Sequence, residues 1–365
     1  MKSPFGGCHS RSGHVNSDVT MPTPLAAPPR LRGWRVFGAA LGVAAVVYVA
    51  SQADWATGRR LLLNIGALWP LVLLPFLVSM LCSTAAWQVT LYQLGFQVAF
   101  PPLLRMRIVA EGVVGAVPGG ALVTETLKPF WLNRSFAVPM GAATASVVLT
   151  KAFVVQSEGA YLLLSVALAY STWSATTHLL AGPVSWLWDA LPLVGLMLVI
   201  GGTVLLYALQ KGTAVRVLQW LLRRIPLPFL QRSLDRKQHF FDSTAGSFAT
   251  FFGTAGITTC GMAFAFTLGQ WLFEAAETFL ILRLLGLHPS FTQALLVESL
   301  LSAVRAVMFF LPGGLGAQEV AAFFLLGIIG IPDPKGAVTA WAFTRRSKEV
   351  FWIVTALCLG FVKRR

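Results

Sequence analysis

Apolar runs of about 20 residues recur along this 365-residue chain, and they constrain its fold more than any other feature. A helical run of that length matches the thickness of a bilayer's hydrocarbon core. Hydrophobic residues make up 56% of the sequence, charged residues only 12%, and the mean hydropathy is +0.71. Soluble domains do not carry so high an apolar fraction. The pattern predicts an all-α polytopic membrane protein with about eight hydrophobic elements.

The predicted elements form two halves. Residues 1–33 are polar and rich in Gly, Ser and Pro, which predicts a disordered cytoplasmic segment. A transmembrane domain follows at 34–362, with halves at about 34–209 and 247–362 joined by a basic cytoplasmic loop at 210–242. Its expected elements are a span at 36–53, an interfacial segment at 54–68, a span at 69–94, a short helix at 103–117, a half-helix up to 133, one long helix or two at 139–170, a span at 190–209, apolar stretches at 248–287 and 291–311, and a last span at 336–362.

The net charge of +14 reflects membrane topology rather than nucleic-acid binding. Basic residues lie between and at the ends of the apolar runs, as the positive-inside rule requires. They precede the first span and end the chain at 363–365, which predicts that both termini are cytoplasmic in a bacterial inner membrane. The loop at 210–242 either sets the topology or, being partly amphipathic, lies on anionic lipid. The four scattered cysteines are interpreted as small buried side chains.

Two broken-helix elements interrupt the apolar pattern, and each consists of PGG, four further residues and a glutamate. The first comprises Pro118, Gly119, Gly120 and Glu125, and the second comprises Pro312, Gly313, Gly314 and Glu319. The elements are 194 residues apart, and at the same offset Lys151 aligns with Arg345, each after a threonine. The recurrence predicts an internal pseudo-repeat, as in many transporters. Low identity between the halves leaves coincidence as an alternative.

The PGG sequence predicts a break in the helix that could bind an anion. Proline ends a helix, and glycine permits backbone conformations that other residues avoid. A helix that restarts after the break presents backbone N–H groups and the positive end of its dipole, which suits an anion. The prediction is a re-entrant or discontinuous helix, and the alternative is a plain loop between two ordinary helices.

All eight glutamates lie in apolar stretches, where a charge at mid-bilayer costs about 2.5–3.5 kcal/mol. Helical spacing predicts direct pairs for Arg107/Glu111, Arg345/Glu349 and Glu125/Lys128. Lys151/Glu158 and Glu298/Arg305 are seven residues apart and are expected to be too distant to touch, so that each needs a partner on another helix. The set either holds helices together or lines a polar cavity for a zwitterionic or phosphate-bearing molecule, with proton coupling through a glutamate as a further option.

These motifs resemble the lysylphosphatidylglycerol-synthetase transmembrane family, also called the flippase-like membrane domain. The segments VPGGALVTETLKPFWL and LPGGLGAQE carry the resemblance, which extends over roughly 34–362. It implies a polytopic fold with re-entrant helices and translocation of lipid between leaflets. In the two-domain synthetases a soluble aminoacyl-transfer domain follows, and this chain ends at Arg365 without one. The resemblance therefore implies a stand-alone member that does not synthesise aminoacylated lipid, with the hopanoid-associated subgroup as one option.

The favoured function is translocation of a polar-headgroup lipid. Nucleotide, metallohydrolase and serine-hydrolase motifs are absent, and the five histidines are isolated, so we expect no enzyme, cofactor or metal. Expected partners are anionic or zwitterionic lipids, including hopanoids, and not nucleic acid; a homo-oligomer or lipid-biosynthesis proteins are open options. The alternatives are a membrane-embedded transferase and a scaffold for lipid biosynthesis. The candidate substrate-binding residues are Pro118, Gly119, Gly120, Glu125, Lys128, Lys151, Glu298, Arg305, Pro312, Gly313, Gly314, Glu319 and Arg345.

Overall fold

The described part of the chain is helical throughout. The computed structural model describes residues 55–117, 119–173, 186–225, 231, 237–308, 311, 314 and 316–361, and these contain no β-strand. The predicted disordered segment at 1–33 and the predicted first span at 36–53 lie outside the described residues. In chain order the helices are α1 (Trp55–Ile65), a 3-10 segment (Gly66–Val72), α2 (Leu73–Gln93), α3 (Phe100–Ala116), α4 (Gly120–Phe136), α5 (Met140–Trp173), α6 (Trp186–Gln210), α7 (Thr213–Arg224), α8 (Gln238–Thr254), α9 (Ile257–Leu284), α10 (Phe291–Val307), α11 (Ala317–Ile328) and α12 (Pro334–Phe361).

Several of these helices have the length and composition of membrane spans, which confirms the all-α polytopic class. Three segments qualify among the described residues: Trp55–Gln93, Met140–Tyr170 and Ala190–Gln210. Helices α8 and α9, which are bent by 108° at a short break, count as a fourth only if the pair forms one span. The predicted count of about eight elements includes α3, α10 and α11, which have only 17, 17 and 12 residues. At a rise of about 1.5 Å per residue these helices are too short to cross a bilayer core unaided.

The chain contains two units of the same design. The first unit is α2–α5 and the second is α9–α12, and each runs long helix, short helix, break, short helix, long helix. The long helices α5 and α12 begin at Met140 and Pro334, which preserves the 194-residue offset of the PGG motifs. The internal repeat predicted from the sequence is therefore present in the order of the helices.

The two units pack reciprocally. Helix α3 of the first unit packs on α12 of the second, and α10 of the second packs on α5 of the first. The helices that precede the units follow the same exchange, since α1 packs on α12 and α8 packs on α5. The equivalent helices α2 and α9 pack against each other. This exchange is the pattern that an approximate two-fold relation between the units produces.

Two predicted boundaries differ from the structure. The predicted loop at 210–242 contains the amphipathic helix α7, and α8 starts at Gln238, before the predicted end of the loop. The predicted apolar stretch at 248–287 is not one element, because the chain breaks between α8 and α9 at Ala255 and Gly256, both with extended backbone angles. The break was missed because isolated glycines in an apolar run give little signal without a proline beside them.

Candidate functional site

A polar cavity of about 560 Å³ lies between the two units. Gly120, Ala121 and Leu122 line it from the first broken-helix element, and Leu311 and Gly314 line it from the second. A smaller lobe of about 200 Å³ extends toward Trp87 and Lys128. The lobes share Arg107, Glu111, Val114, Ala121, Glu125 and Lys151. The two breaks, which are far apart in sequence, thus border one space.

Charges of both signs line the larger lobe in equal number. The cations are Arg107, Lys151, Arg305, Arg345 and Lys348, and the anions are Glu111, Glu125, Glu158, Glu274 and Glu349. Most of these charges are held in ion pairs, as buried charges must be. The wall therefore combines charged groups with a largely apolar lining, and its charges nearly cancel.

Glu298 organises the pairs on the side of the second unit. Its side chain is buried and accepts hydrogen bonds from Arg345 Nη1 at 2.8 Å and Nη2 at 3.0 Å, and from Thr278 Oγ1 at 2.6 Å. Arg305 Nη2 also lies 3.0 Å from Glu298 Oε1, and equally close to Glu274 Oε2. The prediction that Glu298 and Arg305 are too far apart to touch is wrong. The long arginine side chain reaches back along α10 and covers the two turns of helix between the residues.

On α12, a different arginine from the predicted one pairs with Glu349. Arg345 turns toward Glu298, and its neighbour Arg346 is the residue that pairs with Glu349, at 2.5 Å. The predicted Arg345/Glu349 pair is therefore wrong. Spacings of three and four residues both allow a pair with Glu349, and Arg345 is instead bound by Glu298 on α10. Lys348, which was not among the candidate residues, is buried and donates to Glu277 at 2.7 and 2.9 Å. The three-residue spacing of Arg345 and Lys348 was the sequence signal that could have found it.

The first broken-helix element keeps its predicted pairs. Lys128 Nζ lies 3.0 Å from Glu125 Oε1, and Arg107 pairs with Glu111 one turn along α3. Gly119 is the N-cap of α4 and has a φ of 67°, a left-handed angle that favours glycine. No side chain caps this helix end, and the Gly120 amide donates to Val117 O at 2.8 Å. Within the described part of the chain, the start of α4 therefore lines the cavity without a side-chain cap.

The second broken-helix element is closed by its own glutamate. Gly314 and Gly316 have φ angles of 67° and 82°, so α11 begins only at Ala317. Glu319 Oε2 accepts the Gly316 amide at 2.7 Å, and Glu319 Oε1 accepts Arg346 Nε at 2.7 Å. A carboxylate thus occupies the positive end of this helix, where an external anion would otherwise bind.

Equal sequence spacing therefore gives unequal positions for the two motif glutamates. Helix α4 starts at the last glycine of its motif, which places Glu125 in the second turn. Helix α11 starts three residues further on, which places Glu319 in the first turn and within reach of the cap. The cause is Gly316, a third glycine in the second motif. The equivalent residue of the first motif is Leu122.

Comparison with known proteins shows the family. The family described as lysylphosphatidylglycerol synthase TM region matches residues 35–358. This chain belongs to the lysylphosphatidylglycerol synthase transmembrane family. A UPF0104 membrane protein of Methanothermobacter thermautotrophicus is 31% identical over 103 residues, which is 28% of this chain. The match spans only 30% of that relative's length. No solved structure matches the chain.

Membership of the lysylphosphatidylglycerol synthase transmembrane family makes this a multi-pass membrane protein related to lipid handling. Of the candidate residues, the larger lobe is lined by Gly120, Glu125, Lys151, Arg305, Gly314 and Arg345, and Lys128 lines the smaller lobe. Gly119 lies at the first break. Glu298 binds the lining residues Arg345 and Arg305 from behind, whereas Glu319 binds Gly316 and Arg346, which line neither lobe. Pro118, Pro312 and Gly313 lie outside the described residues.

Two cavity charges differ from the others. Among the described residues, Lys151 and Glu158 form no ion pair within 4.0 Å, whereas every other charged side chain that lines the larger lobe does. Both belong to α5 and both line the larger lobe. The sequence predicts a partner on another helix for each of them. Among the described helices neither residue has an ion pair there, and Glu158 has a hydrogen bond with Ser302 of α10.

Proposed function

We propose that this protein translocates a polar-headgroup lipid between the leaflets of a bacterial inner membrane, with both termini in the cytoplasm. The observation that carries the proposal is the cavity that both broken-helix elements border, with ten charged side chains in its wall. Family membership supports the same class of function. Charged groups in the wall of such a cavity lower the cost of taking a charged headgroup through the bilayer.

The size of the cavity fits a headgroup and not a whole lipid. A volume of about 560 Å³ falls within the usual range for small-molecule sites. Two acyl chains need far more room, so in this proposal they stay in the membrane while the headgroup enters the protein. The rim suits such a path, because Leu122 lines the cavity and is 61% exposed on the outer surface.

The near-neutral wall favours transport over tight retention. The ion pairs keep the cavity polar, so that water and a headgroup can enter, and they leave little net charge to trap a single lipid. The first broken-helix element would hold the phosphate or another polar group, because α4 begins there without a capping side chain. The second would support the wall from behind, because Glu319 caps its helix and holds Arg346.

Reconstitution tests the proposal. The protein is placed in vesicles with acyl-chain-labelled lipids, including anionic, zwitterionic, aminoacylated and hopanoid probes, and the labelled lipid left in each leaflet is followed with time. Ala121→Trp fills the junction of the two lobes and is expected to slow translocation about tenfold or more, because the headgroup loses its space.

The matched control is Ala249→Trp, an exposed alanine on α8 that lines neither lobe. It is expected to translocate like the unmodified protein. If the unmodified protein moves no probe of the panel, the proposal is wrong. A covalently modified lipid product would instead support the transferase alternative.

A further inference from the structure

We propose that Lys151 and Glu158 make the cavity selective for zwitterionic phospholipid headgroups, with the phosphate at Lys151 and the amine at Glu158. The inference rests on the proposed function and names the substrate class of that same site. It follows from the two cavity charges that the described helices leave without an ion pair.

The first step is to see which charged residues of the larger lobe have an ion-pair partner. Eight of its ten charged side chains are neutralised by partners at ion-pair distance. Among the described residues, one cation and one anion of the lobe are left without an ion pair within 4.0 Å, although Glu158 has a hydrogen bond with Ser302. Unpaired charges inside a membrane protein are costly and mark sites of function. A molecule that carries both signs neutralises both at once.

The second step is geometry. Lys151 and Glu158 are seven residues apart on one helix, so their backbones are separated by about 10 Å along α5 and they project from nearly the same face. Both side chains line one cavity, and Lys151 also lines the smaller lobe. A headgroup in which a short linker joins phosphate and amine can lie along the helix between them.

The third step is the polarity of the neighbourhood. Lys151 stands at the junction of the lobes, which Ala121 of the first broken-helix element also lines, so a phosphate there meets a cation and lies near the start of α4. Glu158 lies on the other part of the wall, near Ser302 and Arg305, and Arg305 is already bound by Glu298 and Glu274. An anionic lipid without an amine satisfies Lys151 and leaves Glu158 unpaired, which disfavours it.

A pair of probes that differ only in the amine tests the inference. The full chain is reconstituted in phosphatidylglycerol vesicles with a trace of acyl-chain-labelled phosphatidylethanolamine or of its N-acetyl derivative, which keeps the phosphate and loses the positive charge. The unmodified protein is expected to move phosphatidylethanolamine about tenfold faster, the size expected for one charge-assisted hydrogen bond.

Two variants assign the charges. Glu158→Gln is expected to bring the ratio of the two rates close to one, and Glu158→Asp to restore most of the preference. Lys151→Gln is expected to slow both probes, because both carry the phosphate, and Lys151→Arg to rescue both. The ratio of two rates on one preparation is insensitive to the fraction of folded protein, so misfolding cannot mimic a loss of selectivity.

The outcomes separate this inference from the function on which it rests. If the unmodified protein moves neither probe nor any other labelled lipid, the proposed function fails and this inference fails with it. If both probes move at equal rates, or if Glu158→Gln keeps the preference, lipid translocation stands and the zwitterion selectivity is overturned. Unchanged rates in Lys151→Gln overturn the assignment of the phosphate to Lys151.

Discussion

Arg345 donates two hydrogen bonds to Glu298, at 2.8 and 3.0 Å, and both side chains are buried beside the cavity. The pair joins α10 to α12. Removal of one partner from a buried pair leaves the other charge without compensation, which costs about 3–5 kcal/mol. The stability of the second unit should therefore depend strongly on this contact.

We accordingly expect Glu298→Ala to lower the free energy of unfolding by about 3–5 kcal/mol, measured by thermal or denaturant unfolding in detergent. Thr278 loses its acceptor at the same time, whereas Arg305 keeps Glu274. The double variant Glu298→Leu with Arg345→Met removes both charges and should recover much of the loss. An unchanged unfolding midpoint in Glu298→Ala would contradict the prediction.

Neighbouring glycines on α6 provide a test of helix packing. A Cβ at Gly202 would lie 2.8 Å from Gln156 Cβ and 3.0 Å from Gln156 Cα, whereas a Cβ at Gly201 meets nothing within 4 Å. Gly202→Ala should destabilise the protein by about 1–3 kcal/mol because α5 and α6 must separate. Gly201→Ala is the control and should be neutral or slightly stabilising, since alanine favours a helix. Equal midpoints for the two variants would show that this contact is not tight.

The cap that Glu319 forms on α11 predicts that its loss destabilises the start of this helix. Glu319→Ala removes the acceptor of the buried Gly316 amide and should destabilise this helix end by about 1–3 kcal/mol. Glu319→Gln should cost less, because its amide oxygen can still accept the bond. Hydrogen exchange of the first amides of α11 is the measurement. Glu125→Ala is the control, because in the described structure Glu125 bonds Lys128 and no backbone amide, so exchange at α4 should not change.

A substitution at Gly119 tests backbone strain without a steric clash. Gly119 has a φ of 67°, and a Cβ there would meet nothing within 4 Å. Gly119→Ala should cost about 1–2 kcal/mol from the left-handed conformation alone, and Gly119→Asn should cost less because asparagine tolerates that region. The unfolding midpoints of the two variants check the order. If alanine were tolerated better than asparagine, the left-handed conformation would not be the cause of the cost.

Much of the architecture was predictable from the sequence. The apolar run lengths indicate the membrane class, and the PGG motifs indicate both breaks and the repeat, because proline and glycine act on the backbone locally. The direct pairs Arg107/Glu111 and Lys128/Glu125 were also predictable, since helical spacing alone decides them.

Contacts between helices were not predictable in the same way. Whether Arg345 or Arg346 reaches Glu349 depends on the rotation of α12 against α10, which is decided by tertiary packing and not by spacing. The unequal positions of Glu125 and Glu319 depend on where each helix restarts, and Gly316 changes that point for one motif only. The two motifs are therefore more alike in sequence than the two helix breaks are in structure.

The reciprocal packing of the two units also has a consequence for biogenesis. Tyr161 and Ser165 of α5 find their partners on α10, at Leu295 O and Ser299 Oγ, each 134 residues later in the chain. At a synthesis rate of about 5–20 residues per second, the ribosome needs on the order of 10 s to make that stretch. Until then Tyr161 and Ser165 lack these partners on α10. We expect the nascent first unit to gain from a factor that shields it, such as the translocon or a membrane chaperone. Depletion of such a factor should then harm this protein before it harms membrane proteins whose helices pack in chain order.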